Sequence, residues 1–221
     1  MLVSLTLTRD TFVAMYWIMA STNKVQKKDG YHHGDLRAQL VAATRELVEA
    51  KGADHFSVSE ACRVAGVSTA APYRHFKDKE EMLVAVALDG MERKYQRMVK
   101  MVSEQPEQSL QRIQALGQVY VGFATEEPGV FRLIFGQSRD DAGHEKLMEM
   151  GPRHYGFVES EVAKFLGRNE VDDDARNRAF MLWTFVHGLS YLLIDMKTAI
   201  LNRDIDVDAL LLDIGRRVMV D

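Results

Sequence analysis

The stretch GVSTAAPYRHFKDKE, residues 66–80, gathers the side chains best suited to binding chemistry. Tyr73, His75 and Phe76 crowd together, with Arg74, Lys77 and Lys79 among them and Pro72 just before. A buried helix would expel the cations, because an unpaired buried charge is costly. A solvated helix would have no use for the rings. One packed face and one binding face reconcile the two. Covalent chemistry has less to work with. His144, Glu145, His154 and Glu159 offer no compact pair such as HExxH, and no nucleophile motif or phosphate loop is present. The single cysteine, Cys62, excludes an internal disulfide framework and a cysteine-based zinc site, and it fits a reducing cytoplasm.

The 221 residues, 47% hydrophobic and 27% charged, suffice for one or two domains with a sizeable core. Only four prolines interrupt long periodic segments, which favours an all-helical chain. The net charge of −4 argues against a nucleic-acid binder, but its distribution matters more. From Lys24 to Glu80, 10 Lys and Arg stand against 8 Asp and Glu; from Glu81 to Asp221, 17 stand against 23. The N-terminal third is therefore mildly basic and the remainder acidic. The apolar run Phe12–Ala20 is far shorter than the ~20 residues that a membrane-spanning helix needs. Arg9 beside Asp10 makes no basic n-region of a signal peptide. Residues 1–23 are expected to be a poorly ordered extension, with Met15 or Met19 a candidate true start and no membrane association.

The periodicity then predicts a series of helices. Leu36, Leu40, Ala43 and Leu47 form one apolar stripe over Asp35–Lys51, with Gly34-Asp35 as cap and Gly52 as stop. Ser57-Val58-Ser59-Glu60 is a capping box opening a short helix to about Ala65. Gly66 ends that helix and Ser68 is a ready cap for the next, a helix-turn-helix pattern. With Ser68 as cap, Pro72 falls at the fourth helical position, so a tight or irregular first turn is expected. Asp78-Lys79-Glu80-Glu81 starts a long helix to about Val102. Further helices are expected over Glu107–Thr125, a short piece through Phe131–Phe135, Asp141–Leu166 with a break at Gly151-Pro152, Asp172–Lys197 and Asp206–Val220. No strand alternation is visible.

Three linked pieces are shared with a known family. Tyr31-His32-His33-Gly34-Asp35-Leu36 with Ala42, Ala43 and Leu47, then Ala65-Gly66-Val67-Ser68, then Tyr73-Arg74-His75-Phe76-Lys77-Asp78-Lys79-Glu80, closely resemble the DNA-binding domain of TetR family transcriptional regulators. Trp183, Val186, His187 and Gly188 are similar to the signature of the WHG-type C-terminal domain of one TetR subgroup. The resemblance implies an all-α fold in which residues 24–82 are a three-helix DNA-binding domain and residues 83–221 bind an effector and dimerise. It departs from the family at Cys62, where alanine is usual; a thiol is small enough to pack there as a hydrophobe.

In such a motif the second helix enters the major groove and its first residues meet base edges. Here these are Ser68, Thr69, Ala70 and Ala71. Thr69 can donate or accept, and the alanine methyls can meet thymine methyls. Tyr73 and His75 suit phosphates, as do Ser57 and Lys79 at helix starts. Arg74 is the one side chain suited to a guanine, and its role stays open. Phe76 is expected to face the core. Lys24, Lys27 and Lys28 are either a basic arm for flanking DNA or a solvated tail. The acidic remainder can lie beyond the screening length of ~8 Å.

The segment around Trp183 is apolar nearly all round and must be covered on several sides. Packing it and the last helix across a two-fold axis covers both, through Leu189, Leu193, Met196, Leu210 and Ile214. The implied cavity has Tyr120, Phe123, Phe131, Phe135, Met150, His154, Tyr155, Trp183 and His187 as candidate lining. The expected protein is a cytoplasmic, ligand-responsive repressor that binds a palindromic operator in double-stranded DNA as a homodimer. No cofactor, metal or enzymatic activity is expected, and the effector is not specified. A helical metalloenzyme and a protein-binding adaptor are the alternatives.

Overall fold

The computed structural model describes residues 36–136, 141–201 and 204–220, without the side chains of residues 141–144 and 201. The extension 1–23, the lysines at 24, 27 and 28, and the Gly34-Asp35 cap lie outside the described residues. Among the described residues there are eight α-helices and no strand. They are α1 (Leu36–Lys51), α2 (Val58–Ala65), α3 (Lys79–Ser103), α4 (Leu110–Glu126), α5 (Pro128–Phe135), α6 (Asp141–Phe165), α7 (Asp173–Ile194) and α8 (Val207–Met219). Two 3-10 segments, Pro72–Arg74 and Lys197–Leu201, complete the path. No described helix is long and apolar enough to cross a membrane.

Local chemistry accounts for most boundaries. In α1, Leu40, Ala43 and Leu47 are buried, and Gly52 ends the helix at φ +83° with its N–H on the Val48 carbonyl. Ser57 caps α2: its hydroxyl accepts from the Glu60 amide at 3.3 Å, and its own amide donates to the Glu60 carboxylate at 3.0 Å. Asp78, Asp172 and Asp206 cap α3, α7 and α8 by accepting from Glu81, Ala175 and Ala209, each at 2.9 Å.

Two expected features differ. The expected break at Gly151-Pro152 is absent, and α6 runs through Pro152. Proline denies the Met148 carbonyl its donor. Packing before and after the proline holds the axis: Leu147, Pro152, Tyr155 and Val158 all line one cavity, and Tyr155 and Val158 also pack on a core cluster in which Val162 is fully buried. The second helix of the helix-turn-helix is reduced to a turn and the 3-10 segment Pro72–Arg74. With no N–H on Pro72, the Ser68 carbonyl takes the Ala71 amide instead, at 3.0 Å. Pro72 and Phe76 are both buried, so the irregular turn is anchored from beneath.

The expected boundary between residues 82 and 83 falls inside α3. One buried cluster joins Leu40, Val48, Phe76, Met82, Leu83 and Val86 to Tyr120, Phe123, Phe131 and Leu189. A second joins Met98, Val102, Val119, Val162, Ala179 and Met219 at the far end of α3.

The start of α5 is gripped from two sides. The Glu49 carboxylate of α1 accepts from the Gly129 and Val130 amides, at 2.9 and 2.7 Å, two of the donors that a helix start leaves free. Arg93 of α3 clasps both carboxylate oxygens of Glu127, the residue before α5. Contact this close requires glycine: a Cβ on Gly129 would lie 2.7 Å from the Val48 carbonyl oxygen. Gly129→Ala should therefore destabilise the fold by about 1–3 kcal/mol, as overpacking does, read as a lower urea midpoint at unchanged slope.

Candidate nucleic-acid interface and ligand cavity

The helix-turn-helix is built on short-range bonds. Lys51 at the end of α1 donates to Glu60 at 2.6 Å, tying α1 to the capping box of α2. That bond, with the Ser57 amide next, holds the Glu60 carboxyl below the usual carboxylate range. Gly66 takes φ +69°, and its N–H reaches the Arg63 and Cys62 carbonyls. The Cys62 thiol is buried and free, and burial pushes its pKa up, which makes it a packing residue and a poor nucleophile.

The turn presents most of the expected contact residues to solvent. Ser57, Ser68, Thr69, Ala70, Arg74 and His75 are exposed, and Tyr73 is 64% exposed, although tyrosine readily buries. No hydrogen bond or ion pair within the described residues engages the side chains of Tyr73, Arg74 or His75. Ala71 is half-buried. Lys79 differs: its ammonium sits 4.5 Å from the centre of the Phe56 ring and donates to the Asp54 carbonyl at 3.3 Å. Its charge therefore ties α3 to the α1–α2 turn. Phe76 is 3% exposed, as expected, with the Arg37 guanidinium over its ring at 5.2 Å.

A cavity of about 520 Å³ lies among α3 to α8. Tyr120, Phe135, His154, Tyr155 and Trp183 line it. Phe123 and Phe131 are core residues behind the wall, at 4% and 0% exposure, and Met150 is not on the lining. His187 also stands behind it, where Tyr120 explains the Trp183–His187 spacing. Trp183 Nε1 donates to the Tyr120 hydroxyl at 3.2 Å, and that hydroxyl lies 2.8 Å from His187 Nδ1. An indole N–H can only donate, so the Tyr120 hydroxyl accepts from Trp183, and it shares a second hydrogen bond with His187 Nδ1. Two residues four apart on α7 thus grip one hydroxyl of α4. Burial first, and Lys94 second, lower the pKa of His187.

Sequence reasoning missed Lys94. It is 8% exposed, lines the cavity, and lies 4.9 and 5.1 Å from the ring centres of Tyr120 and Phe135. Among the described residues no carboxylate pairs with it, in contrast to buried Glu161, which holds Arg112 and Lys164. Burial alone pulls the Lys94 ammonium down to about 8. Ring contacts return up to ~2 kcal/mol, less than the several kcal/mol that burying an ion costs. A lysine in the apolar periodicity of α3 was the only sequence signal.

His154 is the second unsatisfied group. It stacks on Tyr95 at 4.3 Å, and both ring nitrogens are buried without a hydrogen-bond partner. Burial, then Lys94, lower its pKa, against an opposing pull from Glu92, whose Oε2 is 3.7 Å from Nε2. Among the described residues no group of three or more His, Cys, Asp and Glu is placed to hold a metal ion. The His144 side chain lies outside the described residues.

The face of α7 opposite the cavity is apolar and open. Met181, Gly188 and Leu192 follow one stripe, and all three are exposed. The expected interface residues are placed differently. Leu189 is buried in the core, Ile214 lines the cavity, Leu193 and Leu210 are half-buried, and only Met196 is exposed. Leu192 is the exposed leucine of the stripe on α7.

Comparison with known proteins agrees with both halves. A profile described as bacterial regulatory proteins, tetR family, matches residues 40–86, and one described as tetracyclin repressor-like, C-terminal domain, matches residues 113–212. The nucleoid occlusion factor SlmA of Alteromonas mediterranea is 31% identical over 102 residues, 46% of this chain and 52% of that protein. The chain thus spans about half the length of the curated relatives it matches. A Rhodococcus sp. RHA1 protein of unknown function superposes with a TM-score of 0.73 at 27% identity, covering 87% of this chain and 97% of that one. A TetR/AcrR family regulator from Thermobifida fusca shares the fold at 17% identity, TM-score 0.61, over 83% and 96% of the two chains. FadR of Bacillus subtilis, solved in complex with stearoyl-CoA, shares it at 15% identity, TM-score 0.65, over 83% and 97%. With its helix-turn-helix and its C-terminal helices each matched by a profile of that family, the chain belongs to the TetR family of regulators.

Proposed function

We propose that this protein is a ligand-responsive DNA-binding regulator, a repressor that holds a palindromic operator as a homodimer and releases it when a small molecule fills the cavity. One observation carries the reading. The same helix, α3, starts just after the exposed Tyr73–His75 turn and lines the cavity with Met91, Lys94, Tyr95 and Met98. A ligand that favours one placement of α3 therefore favours one placement of the turn. The Glu49 and Arg93 grips on α5 supply a second link, because α5 contributes Ile134 and Phe135 to the lining. In this division residues 24–82 contact DNA and residues 83–221 bind ligand and partner. FadR of Bacillus subtilis holds stearoyl-CoA, so a protein of this fold takes a ligand.

Ser57, Ser68, Thr69, Ala70 and Ala71 would approach the duplex with Tyr73, Arg74 and His75, while Lys79 braces the turn from within. A homodimer would cover the open stripe of α7. Gly188 supports this: a mid-helix glycine costs ~1 kcal/mol against alanine, and a Cβ there would meet nothing within 4 Å inside the chain. A second helix crossing at Gly188 supplies the reason for it. Two turns held by one dimer could then reach successive major grooves.

Selection of bound duplexes from a random library should return a palindrome, bound less tightly as salt rises; no binding to any duplex at low salt would sink the reading. Tyr73→Ala should weaken binding about tenfold on all sequences, as loss of one phosphate hydrogen bond does, whereas Thr69→Val should change sequence preference. Leu192→Glu should convert the dimer to monomer in sedimentation velocity, and an unchanged dimer would reject this face.

A further inference from the structure

The cavity holds a charge for which the described residues provide no counter-ion. Lys94 is nearly buried, lines the cavity and has no carboxylate partner among the described residues. His154, also on the lining, has both ring nitrogens buried without a hydrogen-bond partner, and Glu92 Oε2 stands 3.7 Å from its Nε2. A neutral imidazole offers one N–H donor and an ammonium three, and the Tyr120 hydroxyl is already engaged by His187. The Lys94 ammonium and the His154 imidazole therefore lie together at a lining whose other walls are largely apolar, among them Met91, Met98, Leu116, Ile134 and Leu182, with the Glu92 carboxylate beside His154.

We propose that the cavity takes a monoanionic carboxylate carried on an apolar body, with the carboxylate between Lys94 and His154. This rests on the reading of the cavity as the effector site. A monoanion cancels the single buried ammonium and can accept from it, and from His154 where its ring turns from Glu92. A phosphate monoester would leave a second negative charge buried and unmatched, and an amine would add a second positive charge beside Lys94. A neutral ligand would leave the ammonium as it stands. The methionines on the walls are unbranched and adaptable, which suits alkyl or aryl bodies of varied shape. The volume, about 520 Å³, falls in the usual range for small-molecule sites.

Calorimetric titration of the full chain at pH 7 with decanoate, its methyl ester, decanol and decylamine tests this directly. Decanoate should bind at least about tenfold tighter than the ester or the alcohol, as a charge-assisted bond predicts, and decylamine should bind weakest. Lys94→Met should abolish the preference for the acid while still binding the alcohol; Lys94→Gln serves if the methionine variant does not fold. The comparison of acid with ester needs no variant at all. An ester or alcohol that binds the native protein as tightly as decanoate overturns the inference and leaves the effector cavity standing. So does a preference for the acid that survives loss of the lysine. Binding of none of the four overturns both.

Discussion

The structure depends on the burial of α3 at both ends. Met82, Leu83 and Val86 sit in the cluster that includes Phe76 and α1, and Met98 and Val102 sit in the cluster under α6 and α7. A 25-residue helix packed this way cannot shift at one end without disturbing the other, because packed interiors deform in steps and not continuously. The ion pairs reinforce the same helix. Arg93 and Arg97 bind Glu127 and Glu126, so the end of α4 and the entry to α5 follow α3. Glu49 then brings α1 to the same junction.

Between its buried ends α3 carries a buried charge that no carboxylate among the described residues balances. Lys94 stands where the helix turns its apolar face to the cavity, with its ammonium against the rings of Tyr120 and Phe135. The contrast with Glu161 is instructive. That carboxylate is equally buried but holds two cations, so it serves the fold. Lys94 serves the fold poorly. An uncompensated ion beside a cavity is a cost that a bound counter-ion can relieve, which ties ligand affinity and the packing of α3 to the same atoms.

Much of the site was readable because its chemistry is local. The capping box at Ser57, the left-handed Gly66 and the aspartates at 78, 172 and 206 act within four residues, so spacing alone reveals them. Pro72 was legible in kind but not in degree. Its missing donor pointed to an irregular turn, while the burial of Pro72 and Phe76 reduced that turn to a 3-10 segment. Pro152 went the other way, since packing on either side carried the helix through. The cavity residues Tyr120, Phe135, His154, Tyr155 and Trp183 were found by type, but Phe123, Phe131 and His187 share those types and stand behind the wall.

The sequence by itself determined the helical class, the helix ends and the family, because caps, periodicity and linked motifs are properties of neighbouring residues. Tertiary structure alone decided which apolar face of α7 stays open, which rings line the cavity and which stand behind it, and that Lys94 is buried with no carboxylate partner among the described residues. Those are relations between residues distant in the chain: Tyr120 meets His187 across 67 positions and Glu49 meets Val130 across 81. No local pattern encodes them, since a lysine in α3 has the same neighbours in sequence whether its ammonium ends in water, against a carboxylate or in a cavity.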